Sequence, residues 1–284
     1  MSRRIAEFLT LNASIAGMLV MVVFAGMGEK MAERFLPLYI LALGGSTMAV
    51  GMLSGLQNLL NALYAFPGGW LSDRLGYKKA LLVFNITAIV GYAVVIFIPR
   101  WQAVLAGAVL FISWSAVSMP AVMSLVAKTA AKGKRAMGVT MHSLVRRVPM
   151  ALGPLAGGWL IMQFGVERGV RLAFTGAMLM TALAILLQQK YIEDEKKRET
   201  QPAFRDLIKG FNPPLRNLLV SDILIRFAEQ IPAAFVVVWV VDIYKVSEFR
   251  FGILTALEML TAMLVYLPVA YMADKTAKKP FVTI

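Results

Sequence analysis

The sequence predicts an all-α membrane protein, and three observations carry that expectation. Apolar residues make up 59% of the 284 residues and charged residues 16%, with a mean hydropathy of +0.70. Soluble domains sit nearer half apolar and a quarter charged. The apolar residues are also gathered into blocks, and Ala80–Ile98 runs without a single charge. A helix of about 20 residues crosses the roughly 30 Å hydrocarbon core. Finally, the cations favour alternate loops.

Taken in order, the blocks give eight spans: residues 13–41, 47–70, 80–98, 103–127, 137–163, 170–188, 215–243 and 250–272. Arg3 and Arg4 precede the first. Its apolar stretch is too long for a signal peptide and has no small-residue cleavage site, so it is read as a retained span. In the seventh, Val236–Val241 has β-type composition. A lone strand leaves its backbone groups unpaired in lipid, so a helix is expected there. Residues 1–188 read as a six-helix bundle, 189–214 as a linker, and 215–284 as the start of a second bundle with two helices. The linker opens with the charge run Tyr191-Ile-Glu-Asp-Glu-Lys-Lys-Arg198. Phe204, Leu207, Ile208 and Phe211 then share one helical face. That short helix either packs under the bundle or lies in the membrane interface, and the second reading is preferred. Asn212-Pro213-Pro214 breaks the chain before span seven.

The net charge of +13 invites a nucleic-acid reading, but its distribution rejects one. Of 29 Lys and Arg, 19 fall on the N-terminal tail and the even-numbered loops with their adjoining span ends, and five on the opposite loops and theirs. This asymmetry places the N-terminus in the cytoplasm. The protein is expected to be multi-pass in a bacterial-type plasma membrane, with the lipid bilayer as a partner and no nucleic acid. There is no Cys and one His, and no His-Glu-x-x-His, Gly-x-Ser-x-Gly or phosphate-binding Gly-x4-Gly-Lys-Ser/Thr motif. No enzyme activity, metal or cofactor is expected. A monomer is the default oligomeric state.

The chain repeats itself at an offset of 201 residues. Gly51/Gly252, Leu53/Leu254, Pro67/Pro268, Asp73/Asp274 and Lys78/Lys279 are identical, and Ser54/Thr255 is conservative. Leucine matches between membrane helices mean little, but the Pro-x5-Asp-x4-Lys frame in register is harder to obtain by chance. Parallel repeats of a helix bundle are one route to a transporter fold. The first copy runs through six spans and the second through two. The chain therefore reads as a C-terminally truncated piece of a protein of about 400 residues with twelve spans.

Gly69-Trp-Leu-Ser-Asp73-Arg74-Leu-Gly76-Tyr-Lys78-Lys79 resembles the signature between the second and third helices of the major facilitator superfamily. Gly153-Pro154-x-x-Gly157-Gly158 resembles the core of that superfamily's fifth-helix motif. Further upstream glycines of that motif are replaced here by Thr140 and Pro149, and the arginine many members carry in helix four is missing from residues 103–117. The resemblance implies a secondary transporter built as a six-helix N-terminal half plus the first two helices of a second half. It implies a latch in which Asp73 and its repeat mate Asp274 cap neighbouring helix N-termini, while Arg74, Lys78 and Lys79 pair with acids or lipid phosphate. Gly69 and Gly76, with Gly153, Pro154, Gly157 and Gly158, serve close packing and turning.

Ionisable groups inside spans are costly, so each is a candidate for function. Span five carries Arg146 and Arg147, roughly 15 Å deep at 1.5 Å per residue. Consecutive positions diverge by about 100°, so one faces a cavity and the other pairs with an acid. Asp222, Arg226 and Glu229 share a face of span seven. Span one carries Glu29, Lys30, Glu33 and Arg34, the last two expected at a wet rim. Gln57, Asn61 and Glu258 lie in spans two and eight, with Gln57 and Glu258 equivalent in the repeat. Glu29, Glu229 and Glu258 are the candidates for proton coupling. His142 is read as a packed core residue rather than a relay.

Two functions fit these residues. One is proton-coupled movement of a small organic solute by alternating access, as efflux or uptake. The alternative is a transporter-derived membrane sensor or scaffold that binds solute without moving it.

Overall fold

The computed structural model describes residues 13–111, 135–191 and 213–275; some helical side chains among them, including 64–70, 135–144 and 266–275, lie outside the description. The expected linker helix at 204–211 lies outside the described residues. So do His142, as a side chain, and most of span four beyond Phe111.

The described residues form nine α-helices and no strand: α1 Ala13–Glu33, α2 Leu36–Ala42, α3 Thr47–Leu75, α4 Tyr77–Phe97, α5 Trp101–Phe111, α6 Arg135–Phe164, α7 Val166–Tyr191, α8 Pro213–Val238 and α9 Glu248–Lys275. The segment Val236–Val241 is helical as expected, although α8 widens into a π-helix over Trp239–Ile243. Lys78–Phe97 and Val166–Tyr191 have mean hydropathies of 2.4 and 2.0 and are long and apolar enough to cross a membrane.

Span one is two helices rather than one. Pro37 has no N–H, and its ring opposes the carbonyl four residues back, that of Glu33. The helix stops at Glu33, Phe35 N–H turns back to the Ala32 carbonyl at 3.0 Å, and α2 starts beyond. The break falls within the run of ionisable residues.

Tight turns join the other helices. Ser46 caps α3, accepting from Ala49 N–H at 3.4 Å, and Ser247 does the same for Arg250 N–H in α9. A single residue, Gly76, separates α3 from α4 at φ +81°. Only glycine adopts that conformation without a Cβ penalty, which accounts for the glycine at that place in the signature. Gly165, at φ +77°, joins α6 to α7 in the same way.

The core centres on α1, which packs along α7 on one side and α6 on the other, while α4 closes against α5 and α7. Tyr92, Phe111 and Phe174 bring α4, α5 and α7 together with ring centroids 5.4–5.6 Å apart. Near the Gly76 end, buried Asn85 donates to Gln188 Oε1 at 2.8 Å, and Gln188 donates to the Lys78 carbonyl at 2.6 Å. Lys78 Nζ in turn donates to the Gln189 carbonyl at 2.9 Å in the last turn of α7. A cation there satisfies an orphan carbonyl and opposes the helix dipole. Large apolar side chains face outward instead, among them Met52, Leu59, Leu179, Leu186, Ile223, Leu224, Leu254 and Leu257. In lipid this exposure carries no hydrophobic cost.

Helices approach most closely where glycines meet. A Cβ on Gly91 of α4 would stand 2.8 Å from the Gly107 carbonyl oxygen of α5, whereas one on Gly55 of α3 would meet nothing within 4 Å. Gly107→Ile should therefore lower stability by about 1–3 kcal/mol through overpacking. Gly55→Ala should leave stability unchanged or raise it by up to about 1 kcal/mol, the difference in helix propensity. Thermal denaturation of the two variants in detergent checks both values.

Candidate functional site

Five elements surround a cavity of about 390 Å³: the α1–α2 break, α3, α6, α8 and α9. The break contributes Lys30, Glu33, Arg34 and Pro37. Ser54 and Gln57 come from α3, Met150 and Pro154 from α6, and Thr255, Glu258 and Met259 from α9. Val50, Leu53, Ala233, Ala234 and Val237 add apolar wall. Ser54/Thr255 and Gln57/Glu258 are mates at the 201-residue offset, so the repeat places like residues on the wall of one cavity.

The closest helix contacts lie beside this cavity. A Cβ on Gly153 would come within 2.7 Å of Lys30 Cβ, and one on Gly157 would collide with the Met31 carbonyl. On a neighbouring face of α6, a Cβ on Gly158 would collide with the Glu248 carbonyl of α9. Gly252 of α9 answers it: its Cβ would stand 2.6 Å from the Pro154 carbonyl oxygen. The Gly-Pro motif thus seats α6 against α1 and α9 together. Phe35 and Phe251 meet edge to face at 6.0 Å across the same junction.

The charges at the break form a chain of contacts. Lys30 Nζ lies 3.2 Å from Glu29 Oε1 and also donates to Glu33 Oε2. Glu29 is 6% exposed, turned away from the cavity lining. Arg34 stands 3.9 Å from Glu258 and lies over the Phe251 ring, its guanidinium carbon 5.7 Å from the centroid. Burying an ion without partners costs several kcal/mol, so pairing is what makes such a group tolerable in a membrane interior.

The sequence-predicted candidates divide clearly. Gln57 and Glu258 line the cavity, as do Glu33 and Arg34, which sequence reasoning set at a wet rim. Lys30, named in span one but given no role there, also lines it. The signal available for it was its spacing of one and three residues from two acids. Arg146 and Arg147 are half-buried, engaged with other groups, and outside the described lining. Arg146 nevertheless continues the stripe 146, 150, 154 whose other two members line it. Asn61 is exposed, one turn beyond Gln57. Asp222, Arg226 and Glu229 lie on α8, with side chains outside the described residues; the same holds for Asp73 on α3 and Asp274 on α9, and Gly69 is likewise placed only as backbone of α3. Arg74 and Lys79 are exposed, and Arg74 is engaged by another group. Trp239 meets Tyr244 edge to face at 4.8 Å outside the lining.

The described residues thus form an all-α bundle around a charged cavity lined by helices of both repeat copies. The chain belongs to the major facilitator superfamily, whose family model matches residues 18–284. An uncharacterized MFS-type transporter of Mycobacterium tuberculosis is 24% identical over 169 residues, covering 59% of this chain and 40% of that protein. A multi-drug resistance efflux pump PmrA homolog of Lactococcus lactis is 27% identical over 252 residues, 85% of this chain and 61% of that protein. The chain thus spans about two-fifths to three-fifths of the length of these relatives. Among solved structures, a bacterial homolog of the human lysosomal transporter Spinster, inward-facing and unoccupied, shares the fold with a TM-score of 0.77 at 15% identity. That match covers 98% of this chain and 64% of the other. A peptide transporter POT in complex with sulfate matches with a TM-score of 0.69 at 14% identity, covering 93% and 69%.

Removing Lys30 tests whether the ionic chain supports the fold. Lys30→Met leaves two carboxylates without their shared cation and should cost about 3–5 kcal/mol. The double variant Lys30→Met/Glu33→Met should recover part of that loss, because it removes one stranded charge. A double-mutant cycle by denaturation in detergent measures the coupling.

Proposed function

We infer that the chain forms part of a secondary active transporter that moves a small organic solute by alternating access, with protons as the driving ion. The observation that carries this reading is the cavity between the two repeats. Its wall takes residues from both copies, and close packing at Gly158–Glu248 and Pro154–Gly252 joins α6 to α9 beside it. Repeats that rock about a fixed central site produce alternating access.

Charge supports proton coupling. Among the described groups of the cavity and its ionic chain, Glu29, Glu33 and Glu258 face two cations, Lys30 and Arg34. Protonating one of these carboxylates releases its hold on the facing cation, which couples the proton to the state of the site. Arg146, Arg147, Asn61, Asp222, Arg226 and Glu229 are assigned to the same pathway, on α6, α3 and α8, three helices that carry other parts of the wall. The signature residues Gly69, Asp73, Arg74, Gly76, Lys78 and Lys79, with Asp274, are assigned to the latch. Lys78 supports this by tying the start of α4 to the end of α7. The N-terminus is assigned to the cytoplasmic side of the plasma membrane, on the cation bias, and the working unit is taken as a monomer. The name of the Lactococcus relative favours export.

The test is flux. In vesicles containing the chain, at least one of three probes (ethidium, succinate or phenylalanine) should move several-fold faster than in protein-free vesicles. A proton ionophore should abolish the difference. Rates indifferent to the ionophore remove proton coupling. Binding of a probe without movement of any of them favours the sensor reading over transport.

A further inference from the structure

Two ionic groups on the cavity wall remain short of partners among the described residues. Arg34 and Glu258 approach no closer than 3.9 Å, beyond hydrogen-bond length. Arg34 Nε is buried with no hydrogen-bond partner. Lys30, beside it, is already held by Glu29 and Glu33. The wall therefore offers one open donor set and one open acceptor, opposite in charge and a few ångströms apart, next to the apolar side chains of Leu53 and Met259.

We propose that this pair receives the head group of an apolar α-amino acid, its carboxylate on the Arg34 guanidinium and its ammonium on the Glu258 carboxylate. The proposal rests on reading the cavity as the solute site. Seating both charges replaces one loose ion pair by two charge-assisted hydrogen bonds and leaves the charge of the site unchanged. A carboxylate alone satisfies Arg34 and strands Glu258, and an amine alone does the reverse. Each single-charge analogue forgoes one of these bonds, and the loss is greater at Arg34 Nε, which is buried, than at Glu258, whose side chain is 60% exposed. The short gap between the two groups selects charges carried on one carbon rather than at the ends of a long chain. The cavity, at about 390 Å³, has room for an aromatic or branched side chain beyond the head group. Because Arg34 belongs to the α1–α2 break and Glu258 to α9, the solute also takes the place of a direct contact between the two repeats.

Four probes test this on the unaltered chain in detergent by calorimetry: phenylalanine, 3-phenylpropionate, 2-phenylethylamine and 6-aminohexanoate. Phenylalanine should bind at least tenfold more tightly than each of the other three. A site built around polar partners rejects analogues that lack them. Arg34→Gln should erase the advantage over 2-phenylethylamine, and Glu258→Gln the advantage over 3-phenylpropionate. Equal affinity for phenylalanine and either single-charge analogue overturns the proposal, as does equal affinity for 6-aminohexanoate or no binding of phenylalanine. So does an undiminished preference in both variants. The comparison among probes needs no variant, so it stands even where a substitution prevents folding. Proton-dependent flux of ethidium or succinate without any phenylalanine preference removes the head-group proposal and leaves the transport reading intact.

Discussion

Close backbone contact along α6 is the constraint on which the rest depends. In lipid there is no hydrophobic gain from bringing helices together, so small residues and tight packing must hold them. Gly153 and Gly157 let α6 lie against the backbone of Lys30 and Met31, and Gly158 lets the same helix meet Glu248 of α9. One helix with two glycine faces joins the first bundle to the start of the second. Pro154 sits between those faces, removes a backbone donor, and turns its side toward the cavity. Any side chain at Gly157 would push α1 away, and with it Lys30, Glu33 and Arg34.

The second organising feature is the break at Pro37. A continuous helix would carry its ionisable residues around the cylinder at regular intervals, some toward lipid. Ending α1 at Glu33 and restarting at Leu36 instead gathers Lys30, Glu33 and Arg34 on the cavity wall, while Glu29 stays inside the bundle as a partner of Lys30. Pairing within the chain makes four ionisable residues in six positions tolerable in a membrane segment. Arg34 is the exception, since its contact with Glu258 is long and its Nε unpaired. That shortfall sits where repeat mates from α3 and α9 share a wall.

The signature near Gly76 illustrates how a short motif can combine local and distant demands. Gly76 is fixed by backbone conformation alone, because the one-residue turn between two long helices needs φ near +80°. Lys78 is fixed by something the motif does not contain, the exposed carbonyl of Gln189 at the end of α7. The resemblance leads one to expect Lys78 opposite an acid or a lipid phosphate. It meets a helix C-terminus instead, where the dipole offers a comparable attraction.

The sequence by itself determined the helical class and the 201-residue repeat. Hydropathy and backbone hydrogen bonding in lipid leave no other structure for such blocks. It also singled out Gln57 and Glu258 as equivalent positions, and both line the cavity. Only the tertiary structure decided which charges face that cavity. On an isolated helix, Glu29 and Glu33 look alike, and Arg34 looks peripheral. Neighbouring helices and a proline break separate them, burying Glu29 inside the bundle and presenting Arg34 to α9. That choice depends on contacts between residues more than two hundred positions apart, which no local spacing encodes.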